Sequence, residues 1–179
     1  MTFTHALSTN NYGPTKFIVA TSAANGTHTT LASALAAASV GDTVFLRDNV
    51  TENVTLPPGV NITAWTAATL NTPTIIGTIT MTGAGTSTLS GLRLQTNSAA
   101  LLAVTGSAAS ILNLNRCYLN CTNTTGITFS TSSASGTINL TQCLGDLGTT
   151  GIGLFTHTSA GMLNFLNCFI RVKISKLFR

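Results

Sequence analysis

Leu114-Asn-Arg-Cys117-Tyr-Leu119 recurs downstream as Leu140-Thr-Gln-Cys143-Leu-Gly145 and Phe165-Leu-Asn-Cys168-Phe-Ile170, and upstream as Leu89-Ser-Gly-Leu92-Arg-Leu94. Matching positions stand 25, 26 and 25 residues apart. The same period carries outward to two further strips. One joins Leu102, Ile127 and Ile152, with Val104, Phe129 and Leu154 two places on; the other joins Leu112, Ile138 and Leu163, with Asn113, Asn139 and Asn164 beside them. A fixed period of this length is the mark of a repeat architecture, in which each copy is one supersecondary unit.

Within each strip apolar and small polar residues alternate with period two, which is strand behaviour, and stretches such as 105–110 and 132–136, rich in Gly, Ser and Ala, separate the strips. One copy therefore holds two or three short strands. A unit so small cannot bury its apolar face alone, whereas stacked copies give each backbone amide a partner in the coil above or below and close one continuous core. The fold class expected is all-β, a parallel β-helix with about 25 residues per coil, longer than the roughly 18-residue triangle that hexapeptide repeats build. The usual hand of parallel crossovers makes it right-handed. Stacking sets like side chains against like about 4.8 Å apart. Asn then forms hydrogen-bonded ladders, and Cys117, Cys143 and Cys168 read as a narrow file of small buried hydrophobes.

Composition agrees. The 179 residues include 34 Thr, 15 Ser, 15 Asn and 16 Gly but one Glu and two Gln, an alphabet of strands and turns that excludes a helical bundle. Only 7% of the residues are charged. Four of the eight basic groups, Arg171, Lys173, Lys176 and Arg179, lie in the last nine residues, so the formal charge of +4 belongs to the tail. No basic face with interleaved aromatics marks a nucleic-acid binder, and no apolar run approaches the roughly 18 residues of a membrane span. The first Lys is Lys16 and no apolar core with a cleavage site follows it, so no secretory signal is expected in this numbering.

A solenoid needs caps. The one convincing helix lies between Thr29 and Ala38, opened by a Thr cap, with Leu31, Ala34, Leu35 and Ala38 on one face and Ser39-Val40-Gly41 closing it. Phe17 to Ala20 reads as a strand before it and Val44-Phe45-Leu46 as a strand after it. Pro57-Pro58-Gly59 turns between Val54-Thr-Leu56 and Val60-Asn-Ile62. The domain reading is an irregular arm over 1–15, a strand and capping helix over 16–43, the β-helix over 44–170 and a basic edge strand or tail over 171–179.

The stretch Lys16 to Ala64, with FIVATSAANGTHTTLASALAAASVGDTVFLRDNVTENVTLPPGVNITA, resembles the opening of pectin-lyase-like right-handed parallel β-helix proteins: strand, Gly turn, Ala-rich helix, GDTV strand, ENVTL strand and a turn into the next coil. The resemblance implies fold more than function, because that superfamily holds polysaccharide lyases, esterases and hydrolases as well as bacteriophage tailspikes, tail fibres and adhesins.

Its enzymes need paired carboxylates or acidic calcium sites. This chain has four acids: Asp42 in the turn before a strand, Asp48 and Glu52 in the polar 47–53 loop, and Asp146 alone. Asp48 with Glu52 is the one candidate pair. His5, His28 and His157 are scattered, no phosphate loop or nucleophile elbow occurs, and Cys117, Cys121, Cys143 and Cys168 lack zinc spacing, although a Cys117–Cys121 link is conceivable. Seven Asn-x-Ser/Thr matches, at Asn25, Asn49, Asn53, Asn61, Asn120, Asn123 and Asn139, follow from composition. Catalytic, cofactor-binding and metal residues are accordingly expected to be none. The expected function is a non-catalytic structural or receptor-facing module of a bacteriophage tail fibre or tailspike-like virion appendage. Its expected partners are further copies of the chain, as a trimer or a stacked assembly, and a cell-surface glycan, with no nucleic acid and no membrane insertion. The alternatives are a self-assembling extracellular filament or adhesin subunit and a polysaccharide-active enzyme.

Overall fold

The computed structural model describes residues 17–65, 72–96, 100–104, 109–121, 128–131, 136–146, 156–157 and 161–171. The arm over 1–15 and the tail beyond Arg171 lie outside them. The described strands fall into three parallel sheets. The first runs, in spatial order, β1 (Ile18–Val19), β2 (Thr43–Leu46), β5 (Asn61–Ala64), β8 (Gly85–Ser90), β11 (Ser110–Asn115), β14 (Thr137–Thr141) and β17 (Met162–Leu166). The second stacks β3 (Val50–Thr51), β6 (Thr74–Ile76), β9 (Arg93–Thr96), β12 (Tyr118–Cys121), β15 (Leu144–Asp146) and β18 (Phe169–Arg171). The third stacks β4 (Val54–Leu56), β7 (Ile79–Met81), β10 (Ala100–Val104), β13 (Thr128–Thr131) and β16 (Thr156–His157). From β2 onward the chain visits the sheets in rotation, so each circuit lays one strand on each. This is a parallel β-solenoid. The six steps of its seven-stranded sheet, at about 4.8 Å each, give a rod roughly 29 Å long.

Period-two alternation becomes period-two burial: β11 and β14 bury Leu112, Leu114, Ile138 and Leu140 and turn Ile111, Asn113 and Asn139 outward. Register in the first two sheets is the one the repeats predict. Leu112 pairs with Ile138 and Ile138 with Leu163, while Leu89, Leu114, Leu140 and Phe165 form one file. Leu94, Leu119, Gly145 and Ile170 form another.

The third sheet departs from the expected alignment. Leu102 lies opposite Phe129, not Ile127, and Phe129 lies opposite His157, with an irregularity between Ala100 and Leu102. The first displacement is of two residues, an even step that period-two alternation does not register, and the second is of three, since His157 stands three places past the expected Leu154. Ile127, Ile152 and Leu154 lie outside the described residues.

One short helix, α1 (Leu31–Ala37), follows β1 and buries Leu31, Ala34 and Leu35. It is one to two residues shorter at each end than the Thr29 to Ala38 span. Thr30 is the cap, its hydroxyl accepting from the Ser33 N–H at 3.2 Å. The early steps of the first sheet are unequal: Val19 pairs with Leu46, 27 residues on and across the helix, Val44 with Ile62, 18 on, and Ile62 with Leu89, 27 on. Gly77 is held at φ 145 where the chain enters β7; a Cβ there would stand 2.3 Å from the Glu52 carbonyl oxygen.

Candidate interaction surface

Three of the four carboxylates are engaged by backbone. Glu52 spans the start of α1, one oxygen accepting from Leu31 N–H and the other from Ala32 N–H, both at 3.0 Å. Those amides lack partners within the helix, and an anion there also meets the positive end of its dipole. Asp48 accepts from the Thr21 N–H at 2.8 Å and the Thr21 hydroxyl at 2.9 Å, and these bonds, more than nearby Arg47, hold its carboxyl below the ordinary value. Asp42 accepts from the Ser39 N–H at 2.7 Å, as its turn position suggested. The 47–53 segment is thus not a solvated loop: β3 runs through it, and Asp48 and Glu52 serve two different backbone sites. The side chain of Asp146 lies outside the description.

His28 is half-buried, its ring centroid 5.6 Å from that of Phe17 and its Nδ1 2.9 Å from the Thr27 hydroxyl. His5 and the side chain of His157 are outside the described set. Among the described residues no group of three or more His, Cys, Asp or Glu is placed to hold a metal ion. No described helix is long and apolar enough to cross a membrane.

The corner between the first two sheets repeats in unusual detail. Gly91, Arg116, Gln142 and Asn167 all take positive φ, at 64°, 53°, 54° and 53°. Each immediately precedes a member of the Leu92, Cys117, Cys143 and Cys168 file. A non-glycine residue in this left-handed region costs roughly 1–2 kcal/mol. The cost is offset by stacking: the Arg116 Nε donates to Gln142 Oε1 at 3.1 Å, and one coil's corner N–H bonds the next coil's carbonyl, as from Gln142 to Leu166 at 2.9 Å.

Beyond the corner the thiols line up. Cys117 donates to Leu89 O at 3.4 Å, Cys143 to Leu114 O at 3.5 Å and Cys168 to Leu140 O at 3.3 Å. All three are free thiols; Cys117 and Cys143 are buried, while Cys168 is only half-buried, so the expectation of three core cysteines holds for two. The side chain of Cys121 is not described. The Cys117 thiol is pushed up by its hydrogen bond with Cys143 and then by burial, and the same contact draws Cys143 down.

On the outer face polar ladders tie coil to coil. The Asn139 amide donates to Asn113 at 2.8 Å and the Asn164 amide to Asn139 at 2.9 Å. Asn49, Asn53 and Asn61 each accept an N–H from the following coil, at 2.8, 2.8 and 2.9 Å. These asparagines, read from sequence as chance glycosylation matches, are occupied as struts.

The outer face then changes character toward the carboxy terminus. In the first sheet the outward file Thr86, Ile111, Thr137 ends in Met162, and the file Ser90, Asn115, Thr141 ends in Leu166. In the second sheet Arg93 and Tyr118, whose guanidinium and ring lie 5.2 Å apart, are followed by Leu144 and Phe169. Leu144, Met162, Leu166 and Phe169 are 51%, 58%, 59% and 68% exposed. Single exposed apolar residues are ordinary, whereas several on adjacent faces of the last described coils make a candidate contact surface. The signal was present in the repeat alignment. It was missed because the inward positions drew the reading.

No protein-family model matches the chain, and comparison with curated proteins and with solved structures finds no match.

Proposed function

We propose that this chain is a non-catalytic structural module of a virion appendage of the tail-fibre or tailspike kind, a right-handed β-helix whose carboxy-terminal coils join it to further copies of itself. The observation that carries the reading is the outward turn to Leu144, Met162, Leu166 and Phe169, four of the seven large apolar side chains exposed among the described residues, all four in the last described coils. These residues stand on two sheets of the same coils. Two faces are covered at once when each subunit sits between two neighbours, the arrangement of a closed cyclic oligomer, and a trimer is the smallest. Support for a non-catalytic role comes from Asp42, Asp48 and Glu52, whose carboxylates serve backbone amides. A cell-surface glycan remains the proposed target of the rod's polar flank.

Sedimentation across a concentration series tests the proposal. A fixed trimer is expected, and the combined Leu144→Ser, Leu166→Ser and Phe169→Ser variant is expected to sediment as a monomer with an unchanged far-ultraviolet spectrum. A monomer at every concentration overturns the oligomer. Open-ended growth supports the filament reading instead, against which stands the helix-closed amino-terminal end. Cleavage of an acidic polysaccharide, lost in Asp48→Ala, would replace the proposal with the enzyme.

A further inference from the structure

We infer that Cys143 and Cys168 are a modification site: a thiol pair that a small disulfide oxidant converts to an intramolecular disulfide, tying the last described coil to the one before it. The inference rests on the corner geometry and is independent of how copies associate.

Four observations carry it. Adjacency comes first. The Phe169 N–H donates to the Cys143 carbonyl at 3.0 Å, as the Leu144 N–H does to the Cys117 carbonyl, so successive cysteines are direct neighbours across coils. Equivalent residues of stacked coils lie about 4.8 Å apart, inside the roughly 4.4–6.8 Å of Cα separation that a disulfide spans. Second, each cysteine lies at a corner between strands: Cys143 between β14 and β15, Cys168 between β17 and β18. The Cβ atoms can therefore approach without loss of a strand pair.

Third, the sulfurs lean the right way. Cys168 Sγ donates to Leu140 O at 3.3 Å, and Leu140 belongs to the coil of Cys143. Bridging turns the Cys143 Sγ toward the outer coil and forfeits only weak S–H···O contacts, to Leu114 O and Thr141 O, both at 3.5 Å. Fourth, access is graded: Cys168 is half-buried, whereas Cys143 and Cys117 are buried behind it. A file of thiols open at one end is attacked from that end.

With oxidised glutathione as the oxidant the steps balance. The Cys168 thiolate attacks one sulfur of the glutathione disulfide, forming a mixed disulfide and releasing one glutathione thiolate, which takes up the proton Cys168 lost. Cys143 then attacks Cys168 Sγ. The Cys143–Cys168 bond forms, the second glutathione leaves, and the proton of Cys143 passes to it. Two protein thiols are oxidised and one disulfide is reduced to two thiols. The contact that draws Cys143 down favours the second displacement, and the same contact keeps Cys117 a thiol.

The test uses the full chain carrying Cys121→Ser, titrated with oxidised glutathione at low protein concentration and followed by intact mass and chymotryptic peptide mapping. The expected product has lost two hydrogens, links Cys143 to Cys168, leaves Cys117 alkylatable only after unfolding, and reverts with a phosphine reductant. In the Cys143→Ala variant, folded by far-ultraviolet spectrum, Cys168 is expected to stop at the glutathione adduct. A stable adduct on Cys168 when Cys143 is present, a bridge to Cys117, a link between chains, or no reaction at Cys168 each overturns the inference.

Discussion

The amino-terminal end of the rod is closed and the carboxy-terminal end, among the described residues, is open. At the first end α1 packs Leu31, Ala34 and Leu35 over the core, all buried, and Glu52 reaches back from after β3 to bond the helix start. At the other end Phe165, which continues the inward file of Leu89, Leu114 and Leu140, is 44% exposed, and Leu163, Cys168 and Ile170 are only partly buried. The two ends use the same strand alternation, so the difference lies in what covers the last layer. An uncovered solenoid layer leaves apolar side chains and backbone groups for another surface to satisfy.

The contrast can be broken most severely at the closed end. Leu31→Ala is expected to cost about 3 kcal/mol, because it empties a fully buried site under the cap, and urea unfolding followed by circular dichroism measures it. Phe165→Ala, a larger truncation at the open end, is expected to cost only about 1 kcal/mol in the isolated chain, since the ring is already partly in water. Equal losses at the two sites would erase the distinction. Glu52→Gln sharpens it: one charged acceptor of the helix amides is lost, with an expected cost of about 1 kcal/mol and a selective rise in amide exchange at Leu31 and Ala32.

The smallest effect is a pH dependence of the Thr21 turn. Hydrogen bonds from Thr21 lower the Asp48 carboxyl below its ordinary 3.8, so the contribution is fully present above that value and is lost as pH falls through the lower, folded value. Asp48 is only partly buried, so solvent screens the interaction and the gain is correspondingly small. Amide exchange at Thr21 is expected to accelerate below pH 3.8 in the wild type, and Asp48→Asn is expected to remove that dependence while leaving α1 protected.

The later coils are legible in the sequence because their repeats are nearly equal in length, which places Leu89, Leu114, Leu140 and Phe165 in one file. The first circuits were harder to align, since steps of 18 and 27 residues share no period with the rest. The third sheet is offset from the 25-residue alignment by two residues at Phe129 and by three at His157, because the corners leading into it consume more residues than those of the other two sheets. The left-handed corners at Arg116 and Gln142 have no sequence signature, because among the four equivalents only Gly91 and, more weakly, Asn167 are residue types that favour positive φ. Asp48 and Glu52 looked like loop residues because their partners lie 27 and 21 positions earlier.

The sequence by itself determined that strands stack on a near-constant period and which side of most of them faces inward, since periodicity of apolar residues is a local property that the chain writes along its length. The tertiary structure alone decided which atoms those carboxylates hold, where the thiol file opens and which outward positions gather at one end. Those are relations between residues far apart in the chain, fixed by the number of residues each corner consumes, and no window of the sequence contains them.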